Sequence, residues 1–558
     1  MTPIEQGKPE VSEVISLDVL GIDLGTTNSS VSIYRKGQMR IIQMDGNLSM
    51  PSAVRFKNRK KNEVVVGKQA KQYVLIKSDE VFTSIKSLMG DNGWSDNLSL
   101  RNKFNIEGEQ FSPTDMASLI LQELVAKANE WNFNDKNDGS FESAVITVPA
   151  NSSPIYKQNV LEAAEKAGLG KTDEYGNVLH DANGHIIGVS ILEEPTAAAI
   201  AYAQSMGFDD TKNKEQHILV YDFGGGTFDA TVLRLKSEIG KRPVYTRLST
   251  YGICDLGGDT LDWVLVDYIA KHIKDETDID ILNNPSSLAA KAGIKEIAED
   301  VKIKFSISND SEIEFDLSNI ELDKENPEKR ASNKIVTCEA FLQAIKPLLE
   351  KTIECVKTVL RSASIDADNI DRVVLVGGSS KAPWVKQIIA DNLREPYTAQ
   401  NVDTVVAQGA SYYGANMLGE FEPEGQTSHY YGIEVKSGLF SPLVLKDIPF
   451  GEADYISYEA TFYNSDDSGR AAIAGFITQD EIKYTENEKG TRLTEYLVVQ
   501  KNDLGEPMFR HIGEFDITIP RKKAGEVSII LAMKVFRDNH IEVLAAAEGK
   551  ETPIIWKY

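Results

Sequence analysis

Two segments of the 558-residue chain carry the same chemistry-bearing pattern, Asp23-Leu-Gly-Thr-Thr and Asp222-Phe-Gly-Gly-Gly-Thr. Each follows a short apolar run and continues into β-like sequence, at 31–34 and 230–233. Glycines let a backbone come close to a phosphate and turn successive N–H groups toward it. Gly25 and Asn28 belong to the first loop, and Gly224, Gly225 and Gly226 to the second. The hydroxyls of Thr26, Thr27 and Thr227 can donate to phosphate oxygens. An aspartate at a strand end suits the water shell of Mg2+. Taken singly, each loop reads equally well as an ordinary strand-to-hairpin turn. Two matching loops about 200 residues apart imply a duplicated fold with a ligand between its halves. Gly377-Gly378-Ser379 is a third strand-end glycine cluster and a candidate further wall of a nucleotide pocket. The run Gly168-Leu-Gly-Lys-Thr only imitates a P-loop, because Glu165 stands where its first glycine belongs and a helical pattern precedes it.

The elements that must position these loops are legible. Residues 19–22, 144–148, 191–194, 218–221 and 373–376 are short apolar runs that read as strands. Helical patterns lie between them. One follows Ser112-Pro113, where Ser112 suits a cap and Pro113 a first turn. Others cover 158–167, an alanine-rich stretch after Pro195, and 261–307. Alternating strands and helices predict an α/β class. Residues 171–185 contain two turn signals and read as an exposed hairpin-like insertion. From residue 430 onward, β-branched and aromatic runs broken by turns, such as 471–477 and 527–535, predict a separate all-β module of about four to eight strands.

Composition narrows the classes. The formal net charge is −24, which argues against non-specific binding to nucleic acid or to an anionic membrane. A polyanionic ligand must then be held locally, by backbone N–H groups, a metal ion and a few lysines. The three cysteines, Cys254, Cys338 and Cys355, show no paired spacing and read as small buried hydrophobes in a reducing compartment. The first sixteen residues are polar, without the apolar core of a signal peptide, and no stretch suits a bilayer span. The expectation is a cytoplasmic protein with neither nucleic acid nor membrane as partner.

The two loops, with Glu194-Pro-Thr-Ala-Ala-Ala and Val374-Leu-Val-Gly-Gly-Ser, resemble the ATPase domain of the DnaK-type, seventy-kilodalton heat-shock chaperones over about residues 19–418. Beyond residue 430, Tyr431-Gly-Ile-Glu-Val, Gly513-Glu-Phe-Asp-Ile and Ile541-Glu-Val-Leu-Ala-Ala resemble strands of that family's peptide-binding β-sandwich. The resemblance implies an α/β, actin-like two-lobed ATPase domain over 18–418, followed by an all-β sandwich-like domain over 430–558. A flexible tail at 1–17 and a linker at 419–429 complete the expected organisation. It implies ATP/ADP and Mg2+ as cofactors, with Asp23 and Asp222 flanking the metal through water and Asp229 near a monovalent cation such as K+. Lys86 and Glu194 are the implied catalytic partners, with Asp222 and with Thr227 near the attacking water. Gly257 and Gly258, then Glu299, Lys302 and Ser306, are implied contacts to the nucleotide, together with Gly377, Gly378, Ser379, Lys381 and Asp403. Polypeptide clients, a J-domain co-chaperone and a nucleotide exchange factor are the implied partners.

The sequence also departs from the family pattern. The two arginines that sandwich adenine are replaced by Ile303 and Lys381. Ile303 offers only an apolar face and Lys381 stacks less well, so weaker adenine binding is expected. The arginine that helps receive the J-domain is Lys157 here, and the interval 419–429 is acidic instead of leucine-rich. No helical lid follows the β module, and 454–500 matches the family poorly. Leu439, Phe440 and Leu443 are candidate peptide contacts and equally candidate core residues. Three functions compete: a lidless ATP-hydrolysing chaperone, an ATP-gated adaptor for one dedicated protein, and a small-molecule kinase, which the β module disfavours.

Overall fold

The computed structural model describes residues 18–557 apart from 75–76, 91–96, 135–139, 151, 174–176, 182–185, 207–213, 240, 254, 309, 398–401, 417–426, 428, 436–437, 447, 449–454, 503–504, 506, 537–539 and 548–553. The expected tail at 1–17, most of the linker, Cys254 and parts of the 171–185 insertion lie outside the described residues.

The first lobe is built on a sheet in which the strand Leu20–Asp23 pairs antiparallel with Asn28–Arg35 and parallel with Ala144–Val148. Val189–Glu193 and Gln38–Ile41 extend its two sides. The second lobe repeats this plan. Lys214–Phe223 pairs antiparallel with Phe228–Glu238 and parallel with Arg372–Val376, and Lys241–Ile253 extends the meander. In both lobes, then, a strand delivers an aspartate, turns through a glycine-containing loop and returns as a hairpin. The duplication expected from the two loops is present in the strand pairing.

Each lobe has its own apolar core. Strand runs such as 218–221 and 373–376 are buried on both faces because helices cover the sheet. Pro113–Asn134 and Pro154–Lys166 pack on the first sheet through Met116, Ile120, Leu124 and Val160. Ser112 caps the former as expected: its Oγ accepts from the Asp115 N–H at 3.1 Å, and Asp115 accepts from the Ser112 N–H at 2.8 Å. Between the lobes, Glu194–Ser205 and Val405–Asn416 join strands from both sheets in a third core rich in alanine. Small residues are required there. A Cβ on Gly409 would lie 1.8 Å from the Ala197 carbonyl oxygen, and one on Gly21 would lie 2.2 Å from that of Ala407. Gly409→Val is therefore expected to destabilise the fold by about 2 kcal/mol or more, since backbone on the other side cannot yield. Chemical denaturation of both proteins checks this.

The C-terminal region is a sandwich of two four-stranded antiparallel sheets. One has the order Leu439–Val444, Tyr430–Val435, Arg470–Thr478, Arg510–Thr518, and the other Tyr455–Tyr463, Ser528–Phe536, Ile541–Ala547, Ile554–Lys557. Alternate residues point inward, as with Ile529, Leu531, Met533 and Val535, and form one apolar layer. An additional hairpin, Tyr484–Glu486 with Arg492–Thr494, raises the strand number above the expected four to eight. The sequence hides it because polar residues alternate there with few apolar ones. Leu443 is buried in the sandwich core, and Phe440 is buried in a second small cluster with Ile482, Met508 and Phe509, against which Tyr496 and Val498 pack. Among the described residues, no helix is long and apolar enough to cross a membrane.

Candidate active site

The two aspartates stand at matching strand ends. Asp23 lies opposite Thr147 in parallel register, and the Thr147 hydroxyl donates to Asp23 Oδ1 at 3.4 Å. Asp222 lies opposite Asp229 across the antiparallel pair and beside Val376. The first loop is tight: Gly25 N–H donates to Ser29 Oγ at 3.1 Å, and a Cβ on Gly25 would fall 1.9 Å from the Asn28 carbonyl oxygen. The second closes through Gly224 N–H donating to the Thr227 carbonyl at 3.1 Å. The loops meet. A Cβ on Gly225 would lie 2.2 Å from Thr27 Oγ1, and one on Gly226 would lie 3.4 Å from the Thr26 methyl. Glycine at these positions lets the two hydroxyl-bearing loops approach with N–H groups between them.

Gly257 and Gly258 form a third side. Gly258 N–H donates to the Gly224 carbonyl at 3.0 Å and Asp259 N–H to that of Gly225 at 2.7 Å, so the helix Gly258–Thr277 starts against the second loop. Ser379 Oγ donates to the Gly224 carbonyl at 2.8 Å. Gly377, at φ 82°, lets the Gly-Gly-Ser turn pass beside Asp222 and Phe223. Gly378 is next to the Asp403 carboxylate, which is paired with Lys381.

Lys86 enters from the first lobe, on the short helical turn Ile85–Leu88. Its Nζ donates to Glu194 Oε1 at 2.5 Å, and both side chains are largely buried. Glu194 begins the helix that joins the lobes, where an acidic side chain suits the positive helix end. Burial opposes the Lys86 ammonium, yet Glu194, Tyr156 and Asp23 more than offset this and hold it above the usual lysine range. Asp23 and Asp229 are pushed from 3.8 up to about 7, by burial first and by the Glu194 charge second. Asp222 is raised well above 3.8 by burial, then by Glu194 and Asp229. Burial also raises the neighbouring Tyr156 phenol. One cation thus sits among four buried carboxyl groups, an arrangement that calls for further positive charge.

This has a thermodynamic consequence. The folded pKa values of Asp23 and Asp229 exceed the unfolded one, so their contribution to stability is present below about pH 4 and is lost as pH rises through about 7. In ligand-free protein, Asp229→Asn should therefore raise the melting temperature more at about pH 8 than at about pH 5, by the equivalent of about 1–4 kcal/mol. Scanning calorimetry at both values checks it, and an equal gap at both would contradict it.

The residues further from the loops are less tightly gathered. Lys302 Nζ is 2.6 Å from Asp262 Oδ1 and donates to the Gly258 carbonyl at 2.9 Å. Glu299 is 3.8 Å from Lys71 of the first lobe, an ion pair spanning the cleft. Ser306 donates to the Ile303 carbonyl within its own helix, and Ile303 is 44% exposed. The structure adds Thr147, Tyr156 and Lys71 to the neighbourhood. Thr147 was readable in principle from parallel register beside Asp23, whereas Lys71 and Tyr156 come from segments without motif.

Facing phosphate loops on a duplicated strand-and-hairpin plan, with a lysine–glutamate pair between them, define an actin-like two-lobed nucleotide-binding domain. The model of the family described as Hsp70 protein matches residues 19–447, and the chain belongs to that family. Its members are ATPases that bind ATP or ADP with Mg2+ and act as chaperones on polypeptides.

Proposed function

We propose that this protein hydrolyses ATP in the cleft between its lobes and uses that cycle to bind and release extended polypeptide through its C-terminal sandwich. The observation that carries the reading is the Lys86–Glu194 pair, buried among Asp23, Asp222 and Asp229 where the two phosphate loops meet. Phosphoryl transfer to water needs charge neutralisation and in-line positioning more than a strong base. Backbone N–H groups of Thr26, Thr27, Gly225 and Gly226, with the Thr26, Thr27 and Thr227 hydroxyls, suit the phosphates. Lys86 suits the γ-phosphate and the attacking water, and Glu194 fixes the direction of the lysine.

The donor set fits Mg2+. Asp23, Asp222 and Asp229 offer hard oxygens of the kind Mg2+ and its water shell accept. Bound beside Asp23 and Asp222, Mg2+ would neutralise phosphate charge, and Asp229 would serve a K+ site. Gly257, Gly258, Glu299, Lys302 and Ser306, with Gly377, Gly378, Ser379, Lys381 and Asp403, would hold the nucleoside side. Lys157, at the position the family resemblance assigns to a J-domain partner, is only 8% exposed, so such a partner would find little of its side chain at the surface.

A second reading, an ATP-gated adaptor for one dedicated protein, rests on the acidic interval 419–429, which lacks the leucine-rich run of the family's linker. ATP turnover measured alone, with an unfolded peptide and with a J-domain protein separates the two. Turnover raised by peptide supports the chaperone. Nucleotide binding without any peptide response supports the adaptor.

A further inference from the structure

Residues 479–502 follow the strand Arg470–Thr478 and do three things at once. Their middle runs along Leu439–Val444, the edge strand of the first sandwich sheet. Phe440 N–H donates to the Tyr496 carbonyl at 3.2 Å, and Val498 N–H donates to the Gly438 carbonyl at 2.8 Å. These bonds flank Leu439 and Leu497, which lie directly opposite each other as a non-hydrogen-bonded antiparallel pair. Thr494 Oγ1 donates to the Phe440 carbonyl at 2.6 Å, and Ser441 Oγ to that of Arg492. The segment has strand alternation: Arg492 and Thr494 are buried, whereas Leu493, Leu497 and Val499 are 41%, 42% and 83% exposed.

The hairpin also clamps the second sheet. The Arg492 guanidinium lies 3.5 Å over the Tyr458 ring and donates to the Leu443 carbonyl at 2.7 Å, and Thr491 Oγ1 donates to the Thr461 carbonyl at 2.7 Å. The segment thus spans the open side between the edge strands 439–444 and 455–463.

Finally, both feet stand on the ATPase domain. Gln479 Nε2 donates to the Gly252 carbonyl at 3.2 Å, Tyr251 hydroxyl donates to Asp480, and Asn502 Nδ2 donates to that hydroxyl at 2.7 Å. Gly252 is the cross-strand partner of Asp229. The feet are therefore one strand away from the buried carboxylates of the nucleotide cleft.

We propose that 479–502 is an autoinhibitory strap: it occupies in cis the sheet edge that an extended polypeptide would take by strand addition, and its feet place it under the control of the ATPase domain. The proposal rests on the chaperone reading above and deepens it. An edge strand offers unpaired N–H and C=O groups to any extended chain. Here that edge is filled by a segment held through two main-chain bonds, a few hydroxyls, the Arg492 clamp and the packing of Ile482, Tyr496 and Val498 with Phe440, so its exchange needs the push that its feet on the ATPase domain can supply. The ligand class is an extended segment alternating apolar with small polar residues, like the strap itself. The acidic linker has no aliphatic strand to carry a signal, and the strap offers a second route.

The test uses the full chain with Cys254, Cys338 and Cys355 replaced, carrying Leu439→Cys and Leu497→Cys. Directly opposed positions of this kind suit a disulfide. The probe is a fluorescein-labelled extended peptide rich in leucine and valine, followed by anisotropy, with ATP turnover read on the same samples. The oxidised, locked protein should bind the peptide at least about tenfold more weakly than the reduced one. Val498→Pro, which removes a strap main-chain bond and loosens the strap's packing beside Phe440 while leaving the inter-sheet core intact, should bind it several-fold more tightly than wild type. Equal binding by oxidised and reduced protein overturns the strap, and so does absence of binding even in Val498→Pro. Either result with turnover intact leaves the ATPase reading standing, whereas loss of turnover in wild type sinks that reading separately.

Discussion

Lys86→Ala is expected to lower ATP turnover by about 100- to 1,000-fold while changing nucleotide affinity only several-fold. The lysine is the one cation among Glu194, Asp23, Asp222 and Asp229, and its ammonium is 2.5 Å from Glu194 Oε1. Without it, a nucleophilic water approaches a phosphate already surrounded by buried carboxylates, with nothing local to offset the charge that develops. On the proposed reading, affinity is set elsewhere, by the backbone of the two loops and by the walls at 257–258 and 377–379. The expected signature is thus a fall in the single-turnover rate with little movement in binding. Lys86→Arg should not restore the rate, because a planar guanidinium cannot replace a compact ammonium in a buried site of this size. Rapid-quench single turnovers on the three proteins, with calorimetric binding of ATP, decide the matter. A rate unchanged in Lys86→Ala contradicts the assignment.

Gly25→Ala is expected to weaken nucleotide binding by about 100-fold. The added Cβ would fall 1.9 Å from the Asn28 carbonyl oxygen, inside the loop it belongs to. That oxygen is backbone at the start of the strand 28–35, whose pairing with 20–23 fixes the loop ends. The loop must therefore open, and opening carries Thr26 and Thr27 away from Gly225 and Gly226. Gly257→Ala gives an independent check, since its Cβ would lie 2.5 Å from the Gly225 backbone and push the second loop instead. If both variants bind ATP as wild type does, the loops are ordinary turns and the phosphate site is elsewhere.

Much of this site was legible because motif and element coincide. Asp23 and Asp222 each close an apolar strand, and glycines follow where the chain must turn, so residue type and position pointed the same way. The strands 144–148 and 373–376 were readable as apolar runs because both their faces are buried. The capped helix at 113–134 was readable from Ser112 and Pro113.

Other parts depend on contacts between distant segments. Lys86 and Glu194 are 108 residues apart, and their pairing follows from how the first lobe packs the turn at 85–88 near the end of the strand 189–193. Lys71 meets Glu299 only across the cleft. The strap at 479–502 was illegible for a different reason. Its inward positions are Arg492 and Thr494, polar groups that satisfy carbonyls of a neighbouring strand, and Tyr496, whose ring packs in the Phe440 cluster. A pattern of that kind looks like loop until the edge it covers is known. Conversely, Phe440 and Leu443 looked available for a ligand because apolar residues beside a turn serve core and surface equally well; Leu443 is buried in the sandwich core, and Phe440 is buried beneath the strap.

The central claim is that the cleft binds Mg·ATP and cleaves it. The most direct measurement is calorimetric titration of the full chain with Mg·ATP, followed by a single-turnover assay for released phosphate on the same preparation. The account predicts one nucleotide site per chain, slow conversion to ADP and phosphate, and dependence of that conversion on Mg2+. Absence of a binding heat together with absence of phosphate release would contradict it.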